Sequence, residues 1–533
     1  MAGRSLARVV AKTDAFLAND SVVEVGNGML SGPDVVAVAR TGARVQLTGA
    51  ALAAITDART AVDRLAAAAT PVYGVSTGFG ALATSHIPPH RRADLQRSLI
   101  RSHAASTGAE VDREIVRALM LLRLRTLASG RTGVRPETAT ALAALLNAGI
   151  TPVVGEYGSL GCSGDLAPLA HMALALMGEG NVRDGQGRAL AAGQALAAAG
   201  LTAVTLAEKE GLALINGTDG MLGMLLLTAH DLRALLVAAD ISAAMSVEAL
   251  LGTNRVYAED LQALRPHPGQ AVSAANLRAL LDGSEIIASH QVDPANCPLV
   301  QDAYSLRCAP QVAGAVRDTL AHAQAVADRE LVSVIDNPVL LPDGRVESNG
   351  NFHGAPVGYV LDFLAVAVAD LASISERRTD RLLDPARSHG LPPFLAGDPG
   401  VDSGHMIGQY AAAGIVSELK RLAAPASVDS IPSSAMQEDH VSMGWAAGLK
   451  LRRAIDGLRR VLAIEILTAA RALDFRAPLR PAPATAAART AVRTRVEGPG
   501  PDRFLAPEIE AVVELLASGA LIEAVEAVAG SLR

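Results

Sequence analysis

The chain has 533 residues, of which 50% are hydrophobic, only 3% are aromatic and 19% are charged, and its formal net charge is −7. This length is sufficient for a large core and for more than one domain. The mild, dispersed charge offers no basic stripe of the kind that binds nucleic acid. The many alanines and leucines, with so few aromatic residues, favour closely packed helices over sheets.

Membrane, secretion and metal signals are weak throughout the sequence. The N-terminal segment MAGRSLARVVAKTDAFLAND has no sustained apolar run and does not resemble a signal peptide. Asp362 and Asp370 interrupt the apolar run YVLDFLAVAVADLASI, so no spanning segment is predicted. Cys162, Cys297 and Cys308 are odd in number and lack metal-ligand spacing, and no HExxH motif occurs. We therefore expect a cytoplasmic protein with no metal, membrane or nucleic-acid partner.

The predicted elements begin with two short strands, DVVAVAR and ARVQLTG, within residues 20–50. Helical periodicity then dominates from about 50 to 150, interrupted by the glycine-rich segment PVYGVSTGFGALATSHIPP. The segment APLRPAPATAAART is interpreted as a surface linker. Beyond about residue 205 the pattern predicts long amphipathic helices suited to a bundle. These helices are predicted over 311–335, 355–383, 405–424 and 440–474.

The stretch GSLGCSGDLAPLAH admits three interpretations. In the first it is a plain turn, with Asp165 as N-cap of a helix that begins at Leu166 and tolerates Pro168 in its first turn. A serine nucleophile elbow is excluded, because its Gly-x-Ser-x-Gly pattern would need glycine at position 165. In the third, the amide nitrogen of Gly164 closes on the carbonyl of Cys162. Loss of two waters, with Ser163 becoming a dehydroalanine, then gives a methylidene-imidazolone (MIO), an electrophile. The N-terminal dipole of the following helix would stabilise negative charge that develops on this ring.

This stretch resembles the signature of the aromatic amino acid ammonia-lyase and aminomutase family, in which such a group forms autocatalytically. Cys162 stands where most members have alanine, a difference that leaves the ring chemistry intact. Five further blocks resemble family motifs and occur in the family's order. One precedes this stretch, YGVSTGFG from Tyr73, and four come after it: LALINGTDGML, QDAYSLRCAPQ, DNPV from Asp336 and SNGNFHG. Five matches in order, from about residue 20 to 510, are implausible by chance, and the chain is identified as a member of this family.

The resemblance implies a set of site residues. Tyr73 would be the base, if its neighbours lower its pKa from about 10, and Arg307 would bind the substrate carboxylate with its planar fork. Taken alone, Tyr73 is equally well explained as a buried structural tyrosine, and Arg307 is better explained as a surface or ion-pair arginine. The implied catalytic residues are Tyr73, Cys162, Ser163, Gly164, Asn216 and Tyr304, and the implied substrate-binding residues are His103, Gln301, Arg307, Phe352 and Glu438.

Two of these residues indicate the substrate. The segment LQRSLIRSHAASTG, with His103, and the segment MQEDHVSM, with Glu438, resemble the histidine-using branch. Both polar groups suit an imidazole ring, and a pocket built to pair with ring nitrogens rejects a phenyl ring. The structural alternatives are a histidine satisfied by the backbone and an early-helix carboxylate. The expected reaction is L-histidine to trans-urocanate and ammonia. Ser76, and the pair Ser106 and Thr107, depart from the family pattern without changing this expectation.

The family also implies a mainly α fold with fumarase/aspartase-like lyase architecture. An N-terminal domain over residues 1–210 would carry the tyrosine loop and the MIO tripeptide, and a long helical bundle would span 211–533. Such bundles form homotetramers whose active sites are shared between subunits. The alternatives are a tyrosine or phenylalanine ammonia-lyase, a 2,3-aminomutase and a helical scaffold that has lost catalysis. The GSSxMPxKxN loop of fumarase-type lyases is absent from the sequence.

Overall fold

The computed structural model describes residues 21–26, 30–67, 74, 76–78, 86–161, 164–291 and 300–533. The fold is mainly α, as predicted, with 62% helix. In chain order the α-helices are Gly32–Val36, Gly49–Ala67, Arg92–His103, Arg113–Ala128, Pro136–Asn147, Leu166–Leu176, Ala192–Ala198, Glu210–Ile215, Asp219–Ala249, Glu259–Ala263, Pro268–Leu281, Glu285–Gln291, Tyr304–Arg307, Ala309–Val332, Ala355–Leu383, Met406–Leu422, Gly444–Asp474, Pro483–Arg493, Leu505–Ser518 and Ala520–Ala529. A π-helical turn, Ala37–Thr41, extends the first of them, and 3-10 turns lie at Pro89–Arg91, Arg255–Tyr257, Pro393–Leu395 and Ser434–Met436.

The strands are short and form small sheets between helices. Val22–Val25 pairs in parallel with Arg44–Leu47, and the remaining pairs are antiparallel. These are Thr107–Glu110 with Gly155–Tyr157, Asn181–Arg183 with both Thr151–Pro152 and Ala189–Ala191, and Val339–Leu340 with Val346–Glu347.

The four long helices predicted from periodicity are confirmed, with ends within four residues of the prediction. The strand predicted in ARVQLTG is also confirmed, but DVVAVAR is helical, and that prediction is wrong. A capping box explains the difference: Asp34 N–H donates to the Ser31 hydroxyl, while the Asp34 carboxylate accepts from Ser31 N–H. Pro33 fits the first turn, and the buried Val35, Val38 and Ala39 follow helical spacing.

The predicted linker is wrong as well. Its second half belongs to the helix Pro483–Arg493, which buries Ala484, Thr485, Ala488 and Val492. These small side chains recur at helical spacing, and they allow close approach of neighbouring helices. Pro483 lies in the first turn of this helix, and the alanines Ala484 and Ala488 lie on its buried face, so this half of the segment is not an exposed linker.

The chain divides into two compact units. The first comprises Met1–Leu227, Ala323–Asp362 and Pro425–Leu449. In it the helix Leu166–Leu176 packs against both Arg92–His103 and Glu210–Ile215. Asn216 directly follows Glu210–Ile215, Gly164 lies two residues before Leu166–Leu176, and His103 is the last residue of Arg92–His103.

The second unit comprises Thr228–His322, Phe363–Ala424 and Lys450–Arg533. A buried carboxylate, Glu465, joins three of its segments: it accepts from the hydroxyls of Ser246 at 2.7 Å and Ser375 at 2.6 Å, and it pairs with Arg378 at 2.5 Å. A buried charge that is both paired and hydrogen-bonded avoids most of the cost of desolvation. The predicted boundary at residue 210 stays a prediction.

Two helices among the described residues are long and apolar enough to cross a membrane, Asp219–Ala249 and Ala355–Leu383. However, 83% and 61% of their most apolar windows are buried inside the protein. Such burial is typical of the core helices of soluble proteins.

Candidate active site

The predicted Cys-Ser-Gly turn is described from its third residue, because Cys162 and Ser163 lie outside the described residues. Gly164 has φ +77° and forms an isolated parallel bridge with Gly217. A Cβ atom at position 164 would collide with the backbone carbonyl of Gly217. The next amide, Asp165 N–H, donates to that same carbonyl at 2.6 Å. Only glycine fits between these two backbones.

Asp165 precedes the helix Leu166–Leu176, as predicted, but its side chain does not cap that helix. The fully buried carboxylate instead accepts from the amides of Gly220 and Met221, both at 2.9 Å, and from the Ser159 hydroxyl at 3.1 Å. Burial raises its pKa to about 7, although these hydrogen bonds act in the opposite direction. Asp165 thereby joins the tripeptide turn to the start of the helix Asp219–Ala249.

Asn216 lies in the turn between Glu210–Ile215 and that long helix. Its side-chain Nδ2 donates to the carbonyl of Asn337 at 2.9 Å. Its Oδ1 is buried and has no hydrogen-bond partner among the described residues. Arg123 supports the turn, since it donates to the carbonyl of Asn216 at 3.1 Å and pairs with Asp219 at 2.5 Å. The Asn216 amide is therefore held in one orientation, with its acceptor oxygen left over.

A buried ion pair fixes the segment that receives Asn216. Lys209 Nζ lies 2.6 Å from the Asp336 carboxylate, and both side chains are almost completely buried. Burial raises the pKa of Asp336, while the charge of Lys209 lowers it. Asn349 ties the following turn to this segment, donating from its side chain to the carbonyl of Asp336 at 3.0 Å and from its backbone to Asn337 Oδ1 at 2.9 Å. The DNPV block thus has a structural role that the sequence did not reveal.

We expect Lys209→Met to lower the free energy of unfolding by roughly 3–5 kcal/mol, because it leaves the Asp336 carboxylate buried without its partner. The measurement is the urea midpoint at neutral pH. Arg345→Met is the matched control, since it breaks an exposed pair with Asp343 and should change little. Equal midpoints for the two variants would contradict this role of Lys209.

Tyr73 also lies outside the described residues, but part of its glycine-rich loop is described. Gly74 has φ +75°, and a Cβ atom there would lie 3.1 Å from both Leu212 and Pro338. Ser76 is buried, and its carbonyl accepts from Ile87 N–H at 2.9 Å. The residue next to the predicted base therefore lies against the segment that holds Asn216.

His103 is the last residue of the helix Arg92–His103 and is half-buried. Its Nδ1 lies 2.9 Å from the carbonyl of Leu99, so Nδ1 carries the proton. In the neutral ring Nε2 is then an acceptor. Burial lowers the pKa of His103, whereas the Leu99 contact and the charge of Glu438 act to raise it. The backbone alternative thus accounts for one nitrogen only, and the structure brings His103 close to Glu438.

Glu438 lies six residues before the helix Gly444–Asp474, so the early-helix alternative is wrong. It closes a short loop with Ser433: their backbones exchange hydrogen bonds at 2.9 and 3.2 Å, and the Ser433 hydroxyl donates to the carboxylate at 3.1 Å. Between them Ser434, Ala435 and Met436 all have positive φ. Consecutive non-glycine residues in this region are strained, and such strain is concentrated at functional sites.

The other predicted residues fall into two places. Phe352 is half-buried in the turn that follows Asn349 in the first unit. In the second unit, Arg307 donates to Gln301 Oε1 at 2.5 Å, and its guanidinium lies 4.7 Å from the centre of the Tyr304 ring. Arg307 Nε is buried and has no partner among the described residues, and Tyr304 is exposed. These three side chains are assembled with one another, with one guanidinium donor left over.

Sequence reasoning missed the residues that bond to Asn216 or to the segment around it, namely Arg123, Lys209, Asn337 and Asn349, and it gave no role to the stacked rings of His353 and His440. Several of them stand inside the quoted blocks, which was the available signal. Their partners are remote in sequence, so periodicity and spacing could not pair them.

Comparison with known proteins identifies the family of this chain. A family model described as aromatic amino acid lyase matches residues 30–494. The histidine ammonia-lyase of Streptomyces avermitilis is 65% identical over 511 residues, which cover 96% of this chain and 99% of that relative.

Solved structures give the same fold. The histidine ammonia-lyase from Trypanosoma cruzi matches with a TM-score of 0.87 and 38% identity over 95% of each chain. The tyrosine aminomutase from Streptomyces globisporus matches with a TM-score of 0.90 and 38% identity, over 96% of this chain and 100% of that one. The chain therefore belongs to the aromatic amino acid lyase family.

Proposed function

We propose that the protein is a carbon–nitrogen lyase that removes ammonia from L-histidine without oxidation and yields trans-urocanate. The observation that carries the substrate is that the charge of Glu438 acts on His103, whose Nε2 is a hydrogen-bond acceptor. The 65% identity to a histidine ammonia-lyase supports the same assignment. Loss of ammonia at neutral pH requires removal of a weakly acidic β-proton and a better leaving group than a free amine.

The family uses an MIO group, and we propose that Cys162, Ser163 and Gly164 form it here. The described residues fit it: Gly164 lies where no Cβ can be placed, and the neighbouring Asn216 presents a buried acceptor that lacks a partner among them. This group would supply an electrophilic methylidene carbon that makes the substrate nitrogen a better leaving group.

The side chains of this protein would then bind the substrate and move one proton. Arg307 has a buried Nε donor without a partner among the described residues and a planar fork, which suits the substrate carboxylate. Asn216 would hold the prosthetic ring, because its amide is already fixed in direction beside Gly164. Tyr73 would remove the β-proton from the substrate onto its phenolate oxygen, and Tyr304 would assist.

The imidazole end would be recognised by His103 and Glu438, with Phe352 as a further wall and Gln301 orienting Arg307. A neutral imidazole offers one N–H to one of the two acceptors, His103 and Glu438, and an imidazolium offers an N–H to each, whereas a phenyl ring offers none. A phenyl substrate would desolvate the Glu438 carboxylate without offering it a hydrogen bond, which is the physical basis of rejection. We further propose that the protein is a cytoplasmic homotetramer, as the exposure of large apolar residues such as Tyr359 and Phe363 favours burial between subunits.

The direct test incubates the purified protein separately with L-histidine, L-tyrosine and L-phenylalanine. Urocanate absorbance with L-histidine alone, together with free ammonia, is the expected result. Coumarate or cinnamate as the main product would instead indicate a tyrosine or phenylalanine ammonia-lyase. A β-amino acid detected by chromatography would indicate an aminomutase, and no product from any of the three would indicate a scaffold.

We expect Glu438→Gln to lower kcat/KM for L-histidine by roughly 10- to 100-fold, because it removes a hydrogen bond to a charged group. The measurement is the initial rate of urocanate formation across substrate concentrations. Asp439→Asn is the matched control: it removes a charge from the next, exposed residue and should leave kcat/KM within about twofold. A similar fall in both variants would show a general effect of loop charge and would remove Glu438 from substrate recognition.

A further inference from the structure

Two histidines outside the predicted site lie face to face beside it. The rings of His353 and His440 are stacked with their centroids 5.6 Å apart and their planes 3° from parallel. His353 directly follows Phe352, and His440 comes two residues after Glu438. The stack therefore joins the two chain segments that carry these predicted substrate-binding side chains.

The hydrogen bond to His353 indicates the tautomer of its neutral ring. Ala355 N–H donates to its Nδ1 at 3.4 Å, so the proton of the neutral ring is on Nε2. That Nε2 is buried and has no partner among the described residues.

Each ring is fixed to a separate supporting structure. On one side, His353 N–H donates to the carbonyl of Gly350 at 3.1 Å, and Asn351 N–H donates to Asn349 Oδ1 at 2.9 Å. Asn349 is in turn bonded to the Asp336–Asn337 segment described above. The Phe352 turn is therefore continuous with the segment that holds Asn216.

On the other side, the strained loop from Ser433 to Glu438 leads directly to His440, and Val441 N–H donates to the Ser430 hydroxyl at 3.0 Å. Local hydrogen bonds fix the shape of this loop but not its distance from the Phe352 turn. Stacking of His440 on His353 is the contact nearest to Phe352 and Glu438 in sequence, and the hydrogen bond from Ser427 N–H to the Asp362 carboxylate at 2.7 Å joins the same two segments further away.

We propose that His353 and His440 are positioning residues that hold the Glu438 loop at the correct distance from the Phe352 turn, and so determine affinity for the imidazole end of the substrate. This proposal rests on the proposed function. Because the imidazole is bound equally in the ground state and the transition state, the stack acts on KM more than on kcat.

The test compares His440→Ala, which removes the ring, with His440→Phe, which keeps a flat ring. Loss of an aromatic pair should raise KM for L-histidine by about 3- to 10-fold in His440→Ala, while kcat stays within about twofold. The KM of His440→Phe should stay within about twofold of the wild type. His322→Ala is the control, since it removes a different aromatic contact, with Phe363, and should leave KM unchanged.

A double-mutant cycle with Glu438→Gln distinguishes an effect of the stack on the position of Glu438 from a general effect on the stability of the protein. If the stack acts through Glu438, adding His440→Ala to Glu438→Gln should raise KM by less than about twofold further. The urea midpoint of each variant is measured in parallel, and His440→Leu replaces His440→Ala in the same comparisons if the alanine variant does not fold.

Three results would overturn the proposal: an equal rise of KM in His440→Phe and His440→Ala, independent effects in the cycle, or an unchanged KM in His440→Ala. Failure of the wild-type protein to form urocanate is a different result, since it would overturn the proposed function and this inference with it.

Discussion

Ser163→Ala is expected to abolish urocanate formation and the near-ultraviolet absorbance of the prosthetic group together. Alanine has no hydroxyl to lose, so a methylidene carbon cannot form at position 163. The glycine-lined space around Gly164 and the buried carboxylate of Asp165 would remain, so the variant should fold. The intact mass provides a second measurement: the wild-type chain should be lighter than its sequence mass by two waters, and the variant should show no such deficit.

Cys162→Ala is the matched control for this experiment. It changes the neighbouring side chain to the residue most common in the family, and that side chain remains a substituent of the ring. Activity, absorbance and the mass deficit should all persist. If Ser163→Ala forms urocanate at a rate near that of the wild type, the reaction does not use an electrophile formed from Ser163.

Tyr73→Phe is expected to reduce kcat by about 10²–10⁴-fold, the usual contribution of a positioned general base. The variant removes one hydroxyl and keeps the ring, so the prosthetic absorbance and the urea midpoint should not change. The neighbouring Gly74 lies against Leu212 and Pro338, close to the segment that holds Asn216, which supports a position for this loop at the site. The measurement is kcat for urocanate formation at saturating L-histidine.

Tyr410→Phe removes the same hydroxyl from an exposed tyrosine with no proposed role, and its kcat should equal that of the wild type. A pH profile of kcat adds a further criterion. The limb that reports the ionised base in the wild type should disappear in the residual activity of Tyr73→Phe. If kcat falls less than about threefold, another group removes the β-proton.

The sequence was sufficient for the features that depend on local pattern. Apolar periodicity located the helices Ala355–Leu383 and Gly444–Asp474, because a wide apolar stripe that persists over many turns is typical of a long helix packed on one face. Periodicity gave the wrong element for DVVAVAR. The alternating pattern there is too short to distinguish a strand from a helix, and a capping box and a proline favour the helix. Asp165 was located correctly at the helix start, but its hydrogen bonds go to amides more than fifty positions away.

The candidate site shows the same division. The residue types of His103 and Glu438, read in their motifs, predicted both as partners of an imidazole. That His103 keeps its proton on Nδ1 depends on a bond to Leu99 and on burial, which sequence alone does not give. The Lys209–Asp336 pair joins residues 127 positions apart, and no periodicity connects them. Orientation of a site comes from long-range contacts of this kind, whereas its chemical groups can be predicted from motifs.

The contacts made by Gly164 and by the residues before Cys162 come from distant parts of the chain. Gly217 presses on Gly164, the Ser442 hydroxyl donates to the carbonyl of Gly161 at 3.1 Å, and Met443 N–H donates to that of Leu160 at 2.9 Å. All three contacting residues, Gly217, Ser442 and Met443, are synthesised after residue 164. If the proposed cyclisation depends on these contacts, we expect it to occur only after residue 443 has been synthesised, and we expect shorter fragments not to form the group.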